Sequence, residues 1–138
     1  MNKLELQGIR NNNSQLIRMS NRSGNHANCI KISKGETKIH RIAKSIACSN
    51  LIDEDFTFYT EAIIEPTREY LGGRADIFIL ENANTLEILH TETIRQCTDK
   101  NRKYPGEVIP LKAEDVIKDF IMDYCKKMGW ELKITSDD

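Results

Sequence analysis

The sequence predicts an α/β domain, because helical and strand periodicities follow one another along a single short chain. Three observations carry this. Residues 34–50 place apolar side chains at helical spacing, residues 56–64 are rich in aromatic and β-branched side chains, and residues 74–80 and 85–91 form two strand-like runs divided by turn-forming residues. At 138 residues the chain has the size of one domain, and its apolar (39%) and charged (30%) shares are ordinary for a globular protein.

In chain order, residues 1–32 hold the short apolar stretches Leu4-Glu5-Leu6, Gln15-Leu16-Ile17 and Cys29-Ile30-Lys31-Ile32 between Asn-, Ser- and Gly-rich turns. They predict a β-rich N-terminal segment. Ser33-Lys34-Gly35-Glu36 then fits a capping box, and Ile39, Ile42, Ala43, Ile46 and Ala47 continue it as a helix over 34–50. Residues 56–64 read as a strand, and Pro66 and Gly72-Gly73 punctuate the loop after it. Residues 74–80 and 85–91 make a hairpin about Glu81-Asn82-Ala83-Asn84. A polar helix over 92–103 ends at Tyr104-Pro105-Gly106, and 107–111 reads as another strand. Residues 112–138 supply a C-terminal helix and tail, with Glu114 and Asp115 in its first turn and Lys126 and Lys127 at its end.

Composition narrows the function classes. No apolar run approaches the roughly 18–20 residues that span a bilayer, so no membrane partner is expected. The N-terminus lacks a secretory h-region, which predicts a cytoplasmic protein. Cysteines 29, 48, 97 and 125 form no CxxC pair and read as free thiols. The net charge of −1 conceals nine Lys/Arg in residues 1–50 against only Glu5 and Glu36. That segment is either a phosphate-facing surface or an ordinary solvated one. No glycine-rich phosphate loop followed by Lys-Ser/Thr occurs, so no nucleotide cofactor is expected.

The chemistry concentrates on the hairpin. Asp76 interrupts the apolar run Ala75 to Leu80, and Glu87 sits between Leu86 and Ile88 on the next strand, so strand pairing can bring both carboxylates to one face. Carboxylates within strands oppose strand propensity and are costly if buried alone. Two that converge suit a hard divalent cation, Mg²⁺ or Mn²⁺, which can lower the pKa of a water and neutralise charge on a phosphate undergoing displacement.

Helix, strand, Gly-Gly-Arg-Ala-Asp-Ile, turn and Leu-Glu-Ile-Leu-His-Thr together resemble the PD-(D/E)xK nuclease superfamily over roughly residues 33–111. The resemblance implies a restriction-endonuclease-like core, a central mixed β-sheet flanked by helices. It also implies Mg²⁺-dependent hydrolysis of DNA or RNA. Asp76 matches the family's metal-binding aspartate and Glu87 the acidic residue of its (D/E)xK element. Glu36-x-x-x-His40-x-x-x-Lys44 is similar to the first core helix of competence-associated and restriction-endonuclease-like members, where the helix glutamate often joins the metal site.

The sequence departs from the family two residues after Glu87, where a lysine or glutamine is replaced by Leu89. Either Lys100, with Arg102 or Lys103 as substitutes, supplies the cation from the following helix, or the domain binds nucleic acid or a protein without cutting. Glu36 is also explained by the capping box, and His40 and Lys44 by a helical charge ladder. Glu61 on the preceding strand, a further acid of the site or an exposed strand residue, Arg74, a phosphate clamp or a strand-entry residue paired with a surface carboxylate, and Thr91, on the Glu87 face by alternation, complete the candidates. A third reading, a purely structural partner protein, would form a homodimer through the exposed face of the C-terminal helix.

Overall fold

A computed structural model describes residues 2–18, 26–89 and 104–130. The fold is mixed α/β. Among the described residues, four strands, β1 (Phe58–Ile64), β2 (Gly73–Ile79), β3 (Thr85–Leu89) and β4 (Val108–Lys112), form one sheet in that order. Three helices accompany it, α1 (Lys3–Ser14), α2 (Lys38–Asp53) and α3 (Ala113–Lys127). β1 pairs antiparallel with β2 and β2 antiparallel with β3, whereas β3 pairs parallel with β4, so the sheet is mixed as expected. A parallel pair needs a crossover connection. That connection contains residues 90–103, and the helix expected over 92–103 lies outside the described residues.

The sheet is covered on both faces. On one, Phe58, Ile77, Leu86 and Ile88 pack with Ala43, Ala47, Cys48 and Leu51 of α2, and Val116 and Ile117 of α3 lie against them. On the other, Tyr59, Ala62, Phe78, Leu89 and Tyr104 cluster with Ile17, and Leu16 packs beside them. Double coverage explains why every residue of β3 is buried rather than every second one.

The N-terminal segment is not β-rich. Leu6, Ile9, Arg10 and Asn13 are half-buried at helical spacing, and Asn2 caps the helix by accepting the Glu5 N–H at 2.8 Å. The short Leu4-Glu5-Leu6 alternation misled because Leu4 is exposed and only Leu6 faces the protein. The asparagines at 11–13 lie within α1, where the Asn13 amide donates to the Leu80 carbonyl and Arg10 pairs with Glu81 at 3.3 Å. Of the expected strands only Ile17 forms a bridge, an isolated one to Ile64; residues 29–32 form none and instead meet β1 through the Thr60 hydroxyl, which accepts the Lys31 N–H and donates to the Cys29 carbonyl.

Helix α2 begins later and ends later than expected. Thr37, not Ser33, is its N-cap, accepting the His40 N–H at 3.2 Å, and the helix continues to Asp53. The Glu36 carboxylate does return to the Ser33 N–H, at 3.4 Å, but across a turn that precedes the helix.

Candidate active site

Three carboxylates come abreast across the sheet. In β1 and β2, Thr60 pairs with Ile77 and Ala62 with Ala75, which sets Glu61 across from Asp76. In β2 and β3, Phe78 pairs with Thr85 and Ile77 with Leu86, after which the ladder stops, and the same register sets Asp76 across from Glu87. Asp76 Oδ2 there accepts the Ile88 N–H at 2.8 Å, so a side chain occupies the place of a strand-to-strand bond. Glu87, 2% exposed, lies close enough to Asp76 to help lower its pKa.

Glu61 carries a backbone irregularity. Its φ is +52°, a left-handed conformation that costs a non-glycine residue about 1–3 kcal/mol and persists only when its surroundings hold it. The kink re-phases β1, so Tyr59 and Ala62 join the same core cluster although simple alternation would separate them. What holds Glu61 is Lys44. Lys44 Nζ lies 2.7 Å from Glu61 Oε1, 2.8 Å from Glu36 Oε1 and 2.7 Å from the Lys31 carbonyl. The Lys44 side chain is 0% exposed, and these acceptors use all three of its N–H donors.

His40, one turn before Lys44, links the two halves of the cluster. Its Nε2 is 3.5 Å from Asp76 Oδ2 and its Nδ1, buried without a hydrogen-bond partner, is 3.7 Å from Glu36 Oε1. A cleft lined by Ser33, Gly35, Glu36, Thr37, His40, Glu61 and Asp76 opens the cluster to solvent.

The electrostatics follow from crowding carboxylates around few cations. Burial pushes the Asp76 carboxyl up, yet bonds from His40, Glu87 and the Ile88 N–H outweigh it and hold Asp76 below its ordinary range. The bond to Asp76 raises His40, against the opposing effect of burial. Burial likewise disfavours charge on Glu36 and Lys44, but their mutual contact wins, lowering Glu36 and raising Lys44. Glu61 moves upward, chiefly through burial and also through its closeness to Glu36, against the opposing pull of Lys44. Tyr104 donates its hydroxyl to the Arg74 carbonyl at 2.8 Å, and burial together with the charges of Glu87 and Asp76 pushes it up to about 12.

The structure therefore brings together Glu36, His40, Lys44, Glu61, Asp76 and Glu87. Arg74 lies at the margin, mostly exposed, with Nε 3.8 Å from Glu61 Oε2. Lys100 and Thr91 lie outside the described residues. Leu89 is 8% exposed and belongs to the core cluster around Tyr104 and Val108. Among the described residues, no group of three or more histidine, cysteine or carboxylate side chains stands at metal-ligand spacing.

Sequence reasoning gave Lys44 and Glu61 too little weight and passed over Tyr104 as a neighbour of the carboxylates. Lys44 was detectable, because it shares the helical stripe of the buried Cys48 and Leu51. The left-handed Glu61 had no sequence signal. No protein-family model, curated protein or solved structure gives a significant match to this chain.

Proposed function

We propose that the chain is a metal-dependent nuclease of the PD-(D/E)xK type, with a restriction-endonuclease-like core, hydrolysing phosphodiester bonds of DNA or RNA. The observation that carries this reading is the pair Asp76 and Glu87, set across from one another on strands whose ladder stops where the two carboxylates meet. Two carboxylates set this close repel one another, and a divalent cation between them relieves that repulsion. Their oxygens are the hard donors that Mg²⁺ or Mn²⁺ requires. Asp76 and Glu87 would hold the ion. Glu36 would assist by charge, because its Oε1 is bonded to Lys44 and its Oε2 to the Ser33 N–H. When bound, the ion supplies Lewis acidity and an acidified water.

The chain's own residues do the remaining work. The Ile88 N–H and His40 fix the Asp76 carboxylate. Lys44 keeps Glu36 and Glu61 in place, with no donor left to offer a substrate. The cation missing at Leu89 is therefore not Lys44. Arg74, exposed beside Glu61, and Lys100, on the segment after β3, are the residues assigned to a substrate phosphate.

A second reading, a nuclease-fold module that binds nucleic acid or a protein without cutting, draws on Leu89, whose side chain is committed to the core. A cleavage assay on mixed DNA and RNA separates the two. The nuclease reading expects Mg²⁺- or Mn²⁺-dependent cleavage that Asp76→Asn and Glu87→Gln abolish and Lys100→Ala or Arg74→Ala reduces. A folded protein that retains nucleic acid but cuts nothing with either ion supports the second.

A further inference from the structure

The outer face of α2 carries its charges at the ends that its own dipole disfavours. Lys38 opens the helix and Asp53 closes it, with no acidic residue in the first turn and no basic one in the last. A helix is stabilised by the reverse arrangement, which α3 follows with Glu114 and Asp115 at its start and Lys126 and Lys127 at its end. Lys38 and Asp53 are both exposed, and neither forms an ion pair among the described residues. Between them the stripe continues at helical spacing through Ile42, Ser45, Ile46 and Ser49.

This stripe runs beside apolar surface that is exposed among the described residues. Phe120 of α3, 49% exposed, borders the grooves on both sides of it, and Ile121, Tyr124 and Met128 are exposed along the same helix. One groove has a basic rim, Lys38 and Arg41, and the other a mainly acidic one, Asp53, Glu54, Asp119 and Asp123 with Lys127 as the one cation. Exposed apolar side chains rimmed by charged ones are the pattern that interaction surfaces use.

We propose that this face is the interface of a homodimer in which α2 packs antiparallel against α2 of a second copy. A two-fold axis near Ser45 and Ile46, midway between Lys38 and Asp53, sets Lys38 of each copy against Asp53 of the other and each basic rim against an acidic one. Such an interface is isologous, so one surface must complement itself, and the inverted charges of α2 do so. Short serine side chains at the centre allow the helices to approach. The second copy also supplies the counter-charges that each end of α2 lacks. The cleft beside Asp76 shares no lining residue with this face, so the proposal stands apart from the nuclease reading.

Sedimentation of the full chain at low ionic strength tests it. The expected result is a concentration-dependent dimer whose dissociation constant rises about tenfold or more in Lys38→Glu and in Asp53→Lys and recovers in the double variant, which re-creates the pairs with opposite sense. Phe120→Asp, checked for folding by circular dichroism, is expected to give a monomer. A folded monomer at every concentration overturns the proposal and leaves the face to a different protein. A dimer indifferent to both single charge reversals overturns it equally, by placing the contact elsewhere.

Discussion

A lysine with no exposed surface and three acceptors is an unusual residue for a small domain, and its consequences can be measured. Removing one member of a buried charge set strands the others, at a typical cost of about 3–5 kcal/mol. Lys44→Met is therefore expected to lower the unfolding free energy by about 3 kcal/mol in denaturant titrations, because Glu36 and Glu61 would then face each other without a cation. His40 yields a pH signature in the metal-free protein. Its folded pKa lies above the ordinary 6.5, so its contribution to stability is fully present below 6.5 and is lost as pH rises through the raised value. Thermal melts across that range should show the unaltered protein losing stability with rising pH and His40→Gln lacking that component.

At the scale of elements, the connection between β1 and β2 and the start of α2 set the site's geometry. Gly72 has φ of +75°, and a Cβ there would lie 2.5 Å from the Ile64 carbonyl oxygen, so any side chain meets backbone. Gly72→Ala is expected to cost more than about 1 kcal/mol in urea unfolding and to disturb the neighbouring β1–β2 pairing. Thr37→Ala removes the α2 cap, with an expected loss of about 1 kcal/mol in the same measurement.

These elements also show what could be read from the chain. The hairpin was legible because Asp76 and Glu87 interrupt otherwise apolar strands, and α3 because its dipole charges and apolar stripe agree. α1 was not, because its apolar residues are few and its asparagines favour turns when packing is ignored. Lys44 looked like a rung of a charge ladder because Glu36 and His40 stand at the same spacing. Only the kinked β1, which brings Glu61 beneath α2, turns that ladder into a buried cluster. The kink arises from tertiary contacts and leaves no trace in local composition.

For the molecule as a whole, the sheet's double coverage fixes three neighbouring strands so that Glu61, Asp76 and Glu87 lie in register, with α2 laid over them. The carboxylates outnumber the cations around them, a balance a divalent ion would correct. A ligand that binds only the folded state stabilises it by about 2.7 kcal/mol at one hundred times its dissociation constant. Saturating Mn²⁺ or Mg²⁺ is thus expected to raise the melting temperature of the unaltered protein and to leave Asp76→Asn unchanged.

The most direct test of the carboxylate pair as a metal site is calorimetric titration of Mn²⁺ and Mg²⁺ into the unaltered protein and into Asp76→Asn. The account predicts binding to the unaltered protein and loss of that binding in the variant. A folded protein that binds neither ion, or one whose binding survives Asp76→Asn undiminished, would contradict it.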